Sequence, residues 1–264
     1  MDPPTKVLLV GVTTGSGGTK YYVRGTGDKW IELEQLSKDA EALEKILDDL
    51  VCQYYNRVTI DLTKSISTGQ QYCCSEHKGN KGRISVEPKT VSCQEHSSSS
   101  SITTYRHSVQ GGSLAKIKYY ENGLLSSEQH RRRITAPELN FPIPGLLSVH
   151  AFYCGKNPVL IYVDGGSDTG WYKKPTNSSS GKDEKWTPVK DLNGITPEKI
   201  NDCKTWNKVV GELKNRSNGL QDCPQEPERQ EPPLEKKSED KSDEQDVVQP
   251  GPSGMKLLKL MELK

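Results

Sequence analysis

Apolar and polar residues alternate in short runs along most of this chain, the period-two pattern of half-buried β-strands. The predicted strands of the central region are residues 58–62 (VTIDL), 83–86 (RISV), 102–107 (ITTYRH), 115–120 (AKIKYY), 149–153 (VHAFY), 159–163 (VLIYV), 170–173 (GWYK) and 186–189 (WTPV). Turn pairs such as Gly79-Asn80, Gly111-Gly112, Asn122-Gly123 and Gly165-Gly166 separate them. Many short strands at this spacing predict a mainly β fold, an antiparallel β-sandwich or a barrel-like module. Tyrosine dominates the aromatics, so the sheet faces read as half wet and their tyrosines as exposed contact groups. Two stretches shift to a helical period and close the β-rich segments. Leu36, Ala40, Leu43, Leu47 and Leu50 form one helix face that Ser37 caps. Thr196 and Pro197 open a second helix, with Ile200, Cys203, Trp206, Val210 and Leu213 as its stripe.

The two helical stretches follow similar sequences. Residues 7–36 run VLLVGV, a glycine-rich turn, KYYVRGTG, DKW and IELEQL. Residues 158–192 run PVLIYV, DGGSDTG, a longer WYKKPTNSSSGKDE segment, KW and TPVKDL. Val12 aligns with Val163, the pair Tyr21-Tyr22 with Trp171-Tyr172, and Trp30 with Trp186. This self-similarity predicts a tandem organisation. Residues 1–53 are expected to be the back half of one unit, and residues 54–223 a complete β-rich unit. On this reading the chain opens mid-module, as a truncated product does.

Composition changes the picture at the end of the chain. Counted with glycine and without tyrosine, the apolar share is roughly 37%, against about 45–50% for ordinary soluble domains. The deficit concentrates in residues 224–250, which hold nine acidic and four basic residues, five prolines and three aliphatics. Such a segment buries too little surface to offset chain entropy, so residues 224–264 are expected to be a disordered acidic tail. Its last ten residues, 255–264 (MKLLKLMELK), form a short amphipathic end, marginal as an isolated helix. A net charge of +1 argues against nucleic acid or an anionic membrane surface as the main partner. No segment approaches the roughly 20 apolar residues of a membrane span, and residues 7–12 read as a strand rather than a signal peptide.

Seven cysteines are present: Cys52, Cys73, Cys74, Cys93, Cys154, Cys203 and Cys223. Cys52 falls in the partial unit, leaving six, a number that suits disulfides without fixing their connectivity. The expected pairs are Cys74 with Cys93 across a hairpin and Cys154 with Cys203 between sheet and helix. A metal reading competes, because Cys74-Ser-Glu-His77 and Cys93-Gln-Glu-His96 place two thiols and two imidazoles at spacings that resemble a zinc site.

Other motifs lead nowhere. Gly11, Gly15 and Gly17 match the glycine spacing of a dinucleotide turn, yet residues 20–24 (KYYVR) continue as strand where that turn needs a helix. Lys20 follows Thr19, the reverse of a Walker loop. His77, His96, His107, His130 and His150 sit near no recognisable nucleophile motif. Arg131-Arg132-Arg133 reads as a solvated loop edge between strands. Asn177-Ser178-Ser179 and Asn215-Arg216-Ser217 are glycosylation sequons, meaningful in a secretory lumen.

The wording of residues 58–64 (VTIDLTK), 114–123 (LAKIKYYENG), 131–145 (RRRITAPELNFPIPG), 149–164 (VHAFYCGKNPVLIYVD), 170–175 (GWYKKP) and 201–213 (NDCKTWNKVVGEL) resembles a multicopy family of uncharacterised proteins in piroplasm blood parasites of the Theileria equi type. A more distant similarity links them to the FAINT modules of secreted Theileria proteins. The resemblance implies repeated β-rich modules, secreted and facing the host, with no established activity, cofactor or catalytic residue. The expectation is a non-enzymatic host-facing or surface interaction module with an unidentified protein partner and no small-molecule substrate. The alternative is an intracellular adaptor stapled by zinc or thiols.

Overall fold

The computed structural model describes residues 6–25, 27, 29–34, 40–65, 72–74, 76–77, 82–95, 101–124, 128–177, 181–214 and 220–223. Residues 1–225 form one compact unit, so the division at residue 53 is internal to it. The acidic tail, its amphipathic end, Leu36, Ser37, His96 and the sequon at Asn215 lie outside the described residues.

The architecture is mainly β, as the alternation predicts. One sheet of six strands joins β5 (Ile84–Ser92), β6 (Ser101–Val109), β10 (Leu147–Cys154), β11 (Asn157–Asp164), β12 (Gly170–Lys173) and β14 (Thr187–Pro188), in the order β14-β12-β11-β10-β6-β5. A second sheet, ordered β13-β8-β7-β4, uses β4 (Arg57–Asp61), β7 (Ser113–Tyr120), β8 (Arg131–Thr135) and β13 (Asp183–Lys185), with β9 (Ile143–Pro144) paired to β7. The fold departs from a purely antiparallel plan here, because β4 pairs with β7 and β13 with β8 in parallel.

The sheets face each other over one core. From β4 and β7, Val58, Ile60, Leu114, Ile117 and Tyr119 meet Ile84, Val149, Ala151, Ile161 and Val163 of the larger sheet. The opposite face of that sheet is also covered. Phe152, Leu160, Tyr162 and Trp171 pack with Trp206, Val209, Val210 and Leu213 of helix α2 (Cys203–Lys214). Burial on both sides explains why residues 159–163 are apolar without interruption. Helix α1 (Ala40–Tyr55) lies against the outer face of the smaller sheet through charge: Lys116 meets Glu44 at 2.8 Å and Asp48 at 2.6 Å, and Lys118 meets Asp48 at 3.0 Å.

Several local expectations change. Arg131-Arg132-Arg133 is strand β8 rather than a loop, and each arginine finds a carboxylate, Glu44, Glu121 and Asp183 respectively. Thr196 and Pro197 begin a 3₁₀ turn, whereas α2 starts at Cys203 with Asp202 as its cap, its Oδ1 accepting the Thr205 N–H at 2.8 Å. The chain changes sheet at Trp186, between β13 and β14, and the indole is fully buried. Tyr119, Tyr120, Tyr162 and Tyr172 of the larger sheets are buried rather than half wet, and Tyr105 and Tyr153 are half-buried; Tyr119 bonds Glu184 at 2.7 Å, Tyr153 the Leu62 carbonyl at 2.8 Å and Tyr172 the Asp168 carbonyl at 3.0 Å. At Gly112, φ is +88° and a Cβ would stand 2.0 Å from the Asn56 carbonyl oxygen, so this turn admits only glycine.

A third, small sheet comprises β1 (Leu9–Thr13), β2 (Thr19–Arg24) and β3 (Trp30–Glu32) in that order. Its register coincides with that of β11-β12-β14 position by position. Val10 faces Tyr22 as Ile161 faces Tyr172, Gly11 faces Tyr21 as Tyr162 faces Trp171, and Tyr22 faces Glu32 as Tyr172 faces Pro188. The surroundings differ. β11 has β10 on its other side, whereas among the described residues β1 pairs only with β2. Trp30 is 45% exposed where Trp186 is 0% exposed.

Candidate functional site

Chemistry-bearing side chains gather in two sulfur clusters and at one open strand edge. The first cluster sits where the last turns of α1 approach residues 72–77. Cys52 and Cys73 are joined in a disulfide. The Cys74 sulfur lies 3.1 Å from His77 Nδ1, and Cys52 Sγ lies 3.6 Å from the same nitrogen. Arg83 fixes the ring: its Nη2 donates to His77 Nε2 at 2.9 Å, and its Nη1 donates to the Cys52 carbonyl at 3.0 Å and to Asn56 Oδ1. A guanidinium only donates, so Nε2 accepts and the neutral ring carries its proton on Nδ1, toward the sulfurs.

The expected zinc set is therefore divided. Cys74 and His77 are neighbours, as the C-x-x-H spacing implies, but Cys74 belongs to the core between the sheets and Cys93 to the core beneath α2. His96 is outside the described residues. The disulfide seen among the described residues is Cys52–Cys73 rather than either expected pair: Cys74 and Cys93 lie in separate cores, and Cys203 stands with Cys93 and Cys223. Cys52 takes the sulfur next to Cys74, since the end of α1 runs past residue 73.

The second cluster joins Cys93, just beyond β5, Cys203, the first residue of α2, and Cys223, beyond the end of that helix. Cys93 Sγ lies 3.5 Å from Cys203 Sγ and 3.1 Å from Cys223 Sγ. Backbone contacts hold each segment: Gln94 N–H donates to the Asn201 carbonyl at 2.8 Å, and Cys223 N–H donates to Asn207 Oδ1 at 2.7 Å. Glu95 Oε2 accepts the Cys203 N–H at 2.8 Å. Desolvation pushes the Cys203 and Cys223 thiols above the ordinary thiol range; hydrogen bonds with Cys223 and Cys93 add to the rise at Cys203, whereas at Cys223 the bond with Cys203 works against it. Sequence reasoning missed this trio because its members are 110 and 130 residues apart and carry no local spacing.

The open edge belongs to β1. Arg24 N–H donates to the Leu8 carbonyl at 3.1 Å, which makes residue 8 a hydrogen-bonded partner of β2. Antiparallel pairs alternate, so Val10 and Val12 bond to β2 while the backbone groups of Leu9, Gly11 and Thr13 point away from it. Apolar side chains stand exposed beside this edge, Val7 at 55% and Val12 at 47%. His77, His107 and His150 have different surroundings: His77 faces sulfur, His107 faces the core between the sheets beside Tyr72, and His150 lies on the opposite face, edge-on to Tyr162. No helix among the described residues is long and apolar enough to cross a membrane.

Comparison with protein-family models, curated proteins and solved structures returns no match to this chain.

Proposed function

We propose that this chain is a non-enzymatic interaction module built of tandem β-units, host-facing like the piroplasm family its sequence resembles, and that the β1 edge is its contact surface. The observation that carries the reading is the shared register of β1-β2-β3 and β11-β12-β14. In the second set the edge equivalent to β1 is occupied by β10, through Ser148 opposite Asp164, His150 opposite Tyr162 and Phe152 opposite Leu160. In the first set the equivalent groups, on Leu9, Gly11 and Thr13, face outward. An open edge flanked by apolar side chains takes up an extended strand from a protein partner, with backbone hydrogen bonds giving affinity and alternate side chains giving selectivity.

A labelled peptide spanning the sequence of β10, with serine in place of Cys154, is the direct probe. Saturable binding by fluorescence anisotropy, lost when Leu9→Pro and Thr13→Pro are combined, supports the reading. Absence of binding, or binding indifferent to the two prolines, contradicts it. Proline removes the outward N–H at these positions and leaves the Val10 and Val12 bonds to β2 in place.

A further inference from the structure

We propose that Cys93, Cys203 and Cys223, with the Glu95 carboxylate as fourth ligand, form a binding site for a thiophilic divalent cation, zinc by preference. The site uses side chains unrelated to the β1 edge and stands independently of the interaction reading. All three sulfur atoms lie within 4.8 Å of one another. Ligands held at about 2.3 Å from a tetrahedral zinc are separated by about 3.8 Å, and the sulfurs are already near that spacing at 3.5 Å and 3.1 Å. A disulfide requires about 2.05 Å and satisfies two sulfurs, leaving the third over.

The three sulfurs form the close-set group by themselves, and the Glu95 carboxylate stands beside it to complete the set when metal binds. Glu95 follows Cys93 by two residues, and its Oε2 is anchored by the Cys203 N–H at the start of α2. Carboxylate oxygen and thiolate sulfur are both accepted zinc ligands. Metal binding there displaces thiol protons and ties the end of β5 to both ends of α2. The first sulfur cluster suits a metal less well, because the Cys52–Cys73 disulfide consumes two ligands and Arg83 occupies His77 Nε2.

The test uses the full chain purified anaerobically without reductant, so that the Cys52–Cys73 disulfide stays intact. The expected result is one zinc per chain by elemental analysis. Cobalt in its place should give sulfur-to-metal charge transfer with the visible bands of tetrahedral coordination. Cys203→Ser should weaken cobalt affinity by at least about tenfold and reduce the charge-transfer intensity. Glu95→Gln, at an exposed side chain whose loss leaves the core intact, should shift the visible bands while retaining charge transfer. Cys74→Ser should change neither. The proposal is overturned if the chain with its Cys52–Cys73 disulfide intact shows no charge transfer or if Cys74→Ser abolishes it while Cys203→Ser does not. A disulfide linking any two of the three residues in the natively produced protein overturns it as well.

Discussion

The Tyr119 hydroxyl donates a 2.7 Å hydrogen bond to Glu184 Oε2, the oxygen that also accepts the Trp186 indole N–H at 2.7 Å. Glu184 is 1% exposed, and Lys174 Nζ lies 3.4 Å from its second oxygen and 5.0 Å above the Tyr119 ring. One carboxylate thus ties β7, β13 and the sheet-crossing tryptophan together. Glu184→Ala leaves two buried donors without their acceptor and Lys174 without its nearer carboxylate, Glu121 standing at 3.8 Å, and should cost about 3 kcal/mol in urea unfolding. Glu184→Gln keeps an acceptor oxygen and should cost clearly less. Equal losses for both variants would show that carboxylate shape, and not the donors it satisfies, sets the stability.

His107 gives the fold a pH signature. Burial, and secondarily the neighbouring His150, hold its pKa down at about 3, against an unfolded value of 6.5. The folded chain keeps the ring neutral while the unfolded chain protonates it. Its contribution is therefore complete above pH 6.5 and is lost as pH falls from there toward 3, a change on the order of 4 kcal/mol. His150, lowered chiefly by burial, acts in the same direction. Asp61, raised by burial, acts oppositely, losing stability as pH rises through its folded value. Urea midpoints of His107→Gln should fall less between pH 7.5 and 4.5 than those of the unaltered chain. Parallel pH profiles would contradict the assignment.

The Cys52–Cys73 disulfide closes a loop of 21 residues' separation between α1 and the segment leading into β5. Chain-entropy arguments put its contribution at about 3 kcal/mol. Cys52→Ser should lower stability by that order in non-reducing urea titrations, and Cys74→Ser should not. Peptide mapping after alkylation should join residue 52 to residue 73. A link from Cys74 to Cys93 would restore the pairing expected from the hairpin spacing.

Strands whose apolar side faces one core were legible in the sequence, as in β7, where Leu114, Ile117 and Tyr119 point inward and Lys116 and Lys118 outward. β8 and β13 were not. Arg131-Arg132-Arg133 and Asp183-Glu184-Lys185 carry charge where alternation looks for apolar groups, and the burial of Arg131 and Glu184 depends on Glu44 and Tyr119, partners far along the chain. The start of α2 was misplaced because Thr196-Pro197 and Asp202 both carry cap chemistry, and only packing decides between them. The sulfur clusters were half legible: Cys74 and His77 through local spacing, the Cys93 trio through none. The tyrosines misled because a hydroxyl bonded to a carboxylate or carbonyl is buried at little cost, and composition does not reveal that partner.

Amide hydrogen exchange along β1, read residue by residue in the isolated chain, tests the interaction account most directly. An open edge predicts slow exchange at Val10 and Val12, which bond to β2, and fast exchange at Leu9, Gly11 and Thr13, slowed when the β10 peptide is added. Uniform protection of all five amides without a partner would mean that the edge is already filled and would contradict the account.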